Sequence, residues 1–304
     1  MSIFPIAFDK TFKLDLPSGH RFPMNKYKLL PEKIINSGTA MKIDFFKPSL
    51  PKKKDILITH EKKYLNKLLN LNLDKSEVRK IGFPLSSDLI KRELLIAGGT
   101  IQGAIKSIKY GVSMNIAGGT HHAFSNKGEG FCLLNDQAIA ANYLIKYKGI
   151  KRILIIDLDV HQGNGTAQIF NSEPNVFTFS MHGKKNYPFK KEKSDLDIEL
   201  EDNTSDVEYL NILKNILPRL INKFKPEFIF YLAGVDVIQT DKLGRLSLSI
   251  KGCEKRDEIV FSMCKKEKIP IQCSMGGGYS ENIDTIVDAH LNTFKIAKKI
   301  FYNY

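Results

Sequence analysis

The chain has 304 residues, of which 42% are hydrophobic and 26% charged, proportions that exclude a disordered or fibrous protein and allow a sizeable core. Its net charge of +13, from 46 basic against 33 acidic side chains, favours acidic partners over strongly basic ones, and no nucleic-acid-binding motif accompanies the lysines. No apolar run is long enough to span a bilayer, residues 1–10 lack the pattern of a signal peptide, and the cysteines (Cys132, Cys253, Cys264, Cys273) are scattered as free thiols in a reducing compartment are, so a cytoplasmic location is expected.

Along the chain, helical periodicity predicts helices over 88–109, 136–147, 205–224, 252–266 and 282–301, with β-rich runs between them at 113–116, 152–156, 176–180, 227–232 and 269–274. Strands alternating with helices predict an α/β fold, an open and mostly parallel sheet flanked by helices on both faces. Neither a linker nor a fixed-period repeat divides the chain, so residues 1–304 are expected to form a single domain. The lysine-rich segment 184–193 is unpatterned and reads as a surface loop that could rim a site.

The run 153–165, ILIIDLDVHQGNG, places Asp157, Asp159 and His161 at alternate positions as an apolar strand ends. Alternate side chains of an extended segment point the same way, so two carboxylates and an imidazole converge where open α/β sheets place their chemistry. That donor set suits zinc or a similar divalent ion; the alternative for these residues taken alone is a strand-end turn in which Asp157 caps backbone amides.

Other polar signals also follow predicted strands. AGGTHHAF offers a glycine turn and the adjacent imidazoles His121 and His122, either a base with its partner or a polar surface pair. AGVDV brings Asp236 as a third candidate ligand, and MGGGY brings Tyr279, whose phenol can donate to a developing oxyanion. Lewis acid, base and oxyanion donor together are what a metal-assisted amide hydrolase needs.

The ordered set GHRFPMNKY, GGTHHAF, GEGFCLLND, DLDVHQGNGT, AGVD and GGGY spans most of the chain and resembles the zinc-dependent histone deacetylase family, with HRFPM and HQGNG most similar to its class IV branch and bacterial relatives. The resemblance implies an arginase/deacetylase-like fold and one Zn2+ held by Asp159, His161 and Asp236. It implies His122 as the base that activates water, His121 paired with Asp157 in support, and Tyr279 as the group that polarises the acyl carbonyl. Gly130 and Phe131 would form one wall of the substrate channel and Tyr187 the other. Asn164 stands where some members have an aspartate behind the second histidine; a neutral amide orients His122 without raising its pKa. A structural K+ is implied at Asp157, at the main-chain oxygens of Asp159 and His161, and at Ser180 and Met181. Arg21 is expected either at the base of the channel or as a buried structural arginine.

The implied activity is hydrolysis of Nε-acyl-lysine in a protein or peptide, acetyl or, as in class IV, a long-chain acyl group. The competing readings are a binuclear ureohydrolase, an acetylpolyamine amidohydrolase and an inactive acyl-lysine binding module. The first needs more bridging carboxylates than follow His161 and Asp236. The second sits poorly with the positive charge, and the third with the presence of every proposed ligand together with His122 and Tyr279.

Overall fold

The computed structural model describes residues 3–302. Among these, eight strands and ten helices follow one another: β1 (Ile6–Ala7), α1 (Lys26–Asn36), β2 (Phe45–Phe46), α2 (Lys53–Ile56), α3 (Lys62–Leu69), α4 (Lys75–Ile81), α5 (Ser87–Tyr110), β3 (Val112–Asn115), α6 (Asp136–Lys148), β4 (Ile153–Asp157), α7 (Asn164–Ile169), β5 (Val176–Gly183), β6 (Leu196–Leu200), α8 (Asp206–Phe224), β7 (Phe228–Leu232), α9 (Ile250–Lys266), β8 (Ile271–Ser274) and α10 (Ile283–Tyr302). The strands form one sheet in the order β2-β1-β3-β8-β7-β4-β5-β6, and every pairing is parallel.

A parallel sheet needs a crossover for each return, and the helices supply it while covering both faces. α5 packs on β1, β3, β8 and α6; α9 packs between α8 and α10, and α10 also meets α1 and β3. The central strands are accordingly apolar on both faces. β4 (ILIID) and β7 (FIFYL) are buried at every position.

The five helices and five strands expected from periodicity all form, with ends displaced by at most three residues. The turn chemistry at their ends is conventional: Asn135 caps α6 by accepting from the Ala138 amide at 3.0 Å, and Ser249 caps α9 through Gly252 at 2.9 Å. Residues 184–195 form a loop between β5 and β6.

β3, β8, β7 and β4 are consecutive neighbours in the sheet, and the four polar segments noted in the sequence leave their carboxyl ends side by side.

Candidate active site

Asp159 and His161 follow β4, and Asp236 follows β7, the strand paired with it. The Nδ1 atom of His161 lies 3.0 Å from Asp159 Oδ1 and 3.2 Å from Asp236 Oδ2. One ligand atom from each of the three lies within 4.8 Å of the others, and all three residues are buried. Backbone amides fix the carboxylates: Gly277 donates to Asp159 Oδ2 at 2.8 Å, and Val160 donates to Asp236 Oδ1 at 2.9 Å. Gly277 leaves no room for a side chain unless Asp236 shifts, because a Cβ there would fall 1.9 Å from Asp236 Oδ2.

The electrostatics of the trio suit a cation. Burial works against a charged His161, yet the carboxylates of Asp159 and Asp236 hold its pKa up at about 10. Burial and the neighbouring Asp159 carboxylate push Asp236 up to about 7. The two carboxylates thus hold a proton on the imidazole between them, a place a cation can take, and offer oxygen and nitrogen donors suited to a borderline divalent ion such as zinc.

His121 and His122 sit on the glycine turn after β3, their rings 4.1 Å apart. His121 Nδ1 lies 2.7 Å from Asp157 Oδ2; burial opposes its charge, but Asp157 and Asp159 outweigh burial and raise its pKa. His122 Nδ1 lies 2.7 Å from Asn164 Oδ1. An amide oxygen only accepts, so the proton is on Nδ1 and Nε2 is the free, basic nitrogen. Burial, then His121 and His161, keep the His122 pKa well below 6.5, which leaves the ring neutral and able to take a proton.

Tyr279 closes the group from the loop after β8. Its ring lies 6.5 Å from His161, and its backbone amide donates to Asp241 Oδ2 at 2.5 Å. Burial, followed by the fields of Asp159 and Asp236, raises its pKa well above 10, so the phenol keeps its proton as a donor.

These residues line two chambers that meet at a waist of His122, Gly130, Phe131, His161 and Tyr279. The inner chamber is the smaller and is walled by Phe22, Tyr27, Arg92, Ile96 and Cys132; the outer opens past Tyr187. Phe131 is held at φ +67°, an unusual angle for an aromatic residue, and projects into the waist. The Tyr187 ring stands 5.0 Å from that of His122, with its hydroxyl on Glu129 Oε2 at 2.8 Å. Gly130 at φ +53° passes so close that a Cβ would meet His122 Cδ2 at 2.7 Å. Ser180 lies beside Asp157 in the sheet and lines a small cavity with it, and the next residue, Met181, is buried.

The expectation for Arg21 is corrected by the structure. Arg21 is exposed, 5.0 Å above the Phe131 ring at the outer mouth, because Phe22 takes the inward position and its neighbour points out. The arginine at the inner end is Arg92, 2% exposed on α5, paired with Glu93 and donating to Phe12 O at 2.8 Å.

Sequence reasoning also passed over Asp136 and Lys26. Asp136, first residue of α6, accepts from the backbone amides of Gly119 and Thr120, both at 2.9 Å, and from the hydroxyls of Thr120, Thr100 and Ser274. Its place in GEGFCLLND was the available signal. Lys26 is fully buried 5.5 Å from the Tyr279 ring and donates to Gly276 O at 3.3 Å; burial, against the pull of Asp236 and Asp159, lowers its pKa to about 8.

The histone deacetylase domain model matches residues 20–294. An uncharacterised protein of a Picosynechococcus species is 40% identical over 299 residues, covering 98% of this chain and 99% of that protein. Histone deacetylase 2 of Arabidopsis thaliana is 29% identical over 295 residues, with 94% of this chain and 76% of the relative covered. Histone deacetylase 1 of Homo sapiens is 28% identical over 284 residues, covering 86% of this chain and 58% of the human protein.

Proposed function

The chain belongs to the histone deacetylase family and is a hydrolase of the deacetylase kind, and we propose that it cleaves the amide of Nε-acyl-lysine side chains in proteins or peptides. The observation that supports this most is the convergence of Asp159, His161 and Asp236 with His122 and Tyr279 around one waist, reached through an aromatic entrance.

Asp159, His161 and Asp236 would hold one Zn2+. When bound, such an ion polarises a carbonyl and lowers the pKa of a water molecule. The remaining work falls to side chains. Phe131 and Tyr187 flank the entrance and enclose the aliphatic stem of the lysine, which excludes bulk water and aligns the amide. His122 Nε2 takes a proton from the attacking water as the new C–O bond forms, while Asn164 holds the ring by its Nδ1–H. The Tyr279 hydroxyl donates to the carbonyl oxygen as negative charge builds there. The imidazolium of His122 then gives its proton to the lysine nitrogen, the C–N bond breaks, and a carboxylic acid and a free amine leave. His121, tied to Asp157, fixes the turn that carries His122. The small inner chamber favours a short acyl group such as acetyl.

The test is turnover of zinc-loaded protein on a capped Nε-acetyl-lysine substrate. Tyr279→Phe is expected to lose about 100- to 1000-fold in kcat, the usual cost of removing an oxyanion donor, with unchanged zinc stoichiometry. Wild-type turnover by Tyr279→Phe removes Tyr279 from this role, and the absence of turnover by the wild type on acetyl, octanoyl and myristoyl substrates rejects the function.

A further inference from the structure

Five cations from four separate segments surround the outer chamber: Arg21 from the amino-terminal segment, Lys80 at the end of α4, Lys185 in the β5–β6 loop, and Lys242 and Arg245 in the loop after β7. Among the described residues lining that chamber there is no Asp or Glu. Lys185 and Arg245 share Asp202, at 3.6 and 3.3 Å, and Lys242 reaches Glu281 at 3.6 Å. The side chains of Lys185, Arg245 and Lys242 are 59%, 55% and 57% exposed, so these pairs are weak and exchangeable. Arg21 lies over the Phe131 ring, and Lys80 adds its charge to the carboxyl end of α4. Glu129, behind the Tyr187 hydroxyl, is offset by Lys127 at 2.7 Å, so five cations against Asp202 and Glu281 leave the mouth positive. The Phe189 side chain, 87% exposed, stands on the same rim.

A surface charge of +13 spread evenly would leave some acidic residues at the mouth. Here they are missing where a substrate backbone has to lie if an acyl-lysine is threaded past Phe131 and Tyr187. Resting on the proposed deacylase reading, we infer that the rim selects acyl-lysines carried in acidic sequence, with Asp or Glu within a few residues of the modified lysine. Such a peptide supplies the carboxylates the rim lacks and can displace the weak pairs to Asp202 and Glu281. A basic tail or a polyamine brings like charge to the same cations and is repelled. A nucleic acid would also meet positive charge, but the rim encircles a funnel narrowing to an aromatic waist, a shape that admits a side chain rather than following a phosphate backbone.

The experiment compares kcat/KM on three peptides of equal length with one central Nε-acetyl-lysine, flanked by acidic, neutral or basic residues, each expressed relative to a capped single acetyl-lysine. Acidic flanks are expected to exceed basic ones by roughly ten-fold or more, through KM, given that each exposed ion pair is individually small. The gap is expected to close as salt is raised, because the rim charges are exposed and screened. The doubly substituted Lys242→Glu, Arg245→Glu enzyme is expected to reverse the order. Equal kcat/KM on all three peptides, with the capped substrate turned over, overturns the inference and leaves the deacylase reading standing. Stronger inhibition by a short single-stranded oligonucleotide than by an unacetylated acidic peptide assigns the rim to nucleic acid and overturns it too. Failure on the capped substrate as well rejects the function on which the inference rests.

Discussion

Asp136 touches no atom of the proposed reaction and still governs where its base stands. Its carboxylate holds the amides of Gly119 and Thr120, immediately before His121 and His122, and its second oxygen holds Ser274, which precedes the Tyr279 loop. Removing an acceptor from buried amide donors costs about 1–3 kcal/mol for each donor left unsatisfied. Asp136→Ala is therefore expected to lower stability by about 2–4 kcal/mol and kcat by roughly 10- to 100-fold as the turn shifts. Asp136→Asn keeps an oxygen for the two amides and presents an NH2 to hydroxyls that can rotate to accept it, so most activity is expected to return. Equal loss in both variants, or loss confined to stability, would show a role in folding alone; urea melts beside steady-state kinetics decide. Asp136, Arg92 and Lys26 share the reason they escape a reading of the sequence. Charged residues in amphipathic stretches are assigned to the solvated face, whereas α5 is covered on the side of Arg92 by the segment around Phe12, and Lys26 is enclosed by Phe22, Tyr27 and Tyr279.

The long helices and buried strands were readable because their patterns repeat over many residues. α5 spans 24 residues with Ser86 as its cap, and β4 and β7 are continuous apolar runs, β4 closing on Asp157 and β7 running on through Val235 to Asp236. The short elements of the amino-terminal third were not. β1 and β2 have two residues each, and α1 to α4 are 4 to 11 residues long and rich in lysine, with Pro31 inside α1. Helices of that length owe their stability to packing, which leaves little trace in local sequence. The loops at the strand ends sit at the other extreme, since their chemistry is spelled out in glycines and ligands. Gly277, after β8, is where the loop backbone closes on the ligands of β4 and β7. Gly277→Ala is expected to fold, with an unchanged far-ultraviolet circular dichroism spectrum, while binding zinc about 10- to 100-fold more weakly, the scale on which groups supporting the ligands act. Unaltered affinity by competition against a chelating dye would mean the loop backs away from the carboxylates freely.

The sheet as a whole places its ligands so that a bound cation becomes part of the fold. Asp159 and His161 leave β4, Asp236 leaves β7, and both strands lie at the buried centre of the sheet with β8 beside them. An ion held by all three would clamp two loops that the backbone connects only through α7, β5, β6 and α8. It would also neutralise carboxylates that otherwise face each other in a buried space. Because the site is assembled from residues far apart in sequence, the unfolded chain has no comparable affinity, and binding adds directly to stability. At a free ion concentration 1,000 times the dissociation constant, that contribution is about 4 kcal/mol. For a chain of this size it corresponds to a rise in Tm on the order of 5 °C or somewhat more. Calorimetry of zinc-loaded and chelator-treated protein is expected to show this difference, and Asp236→Ala is expected to melt at one temperature under both conditions. A chelator-independent Tm in the wild type would mean that the trio does not hold an ion in the folded protein, whereas a shift that survives in Asp236→Ala would place the ion elsewhere. The peptide comparison at the rim depends on full occupancy of this site, so the melting experiment comes before it.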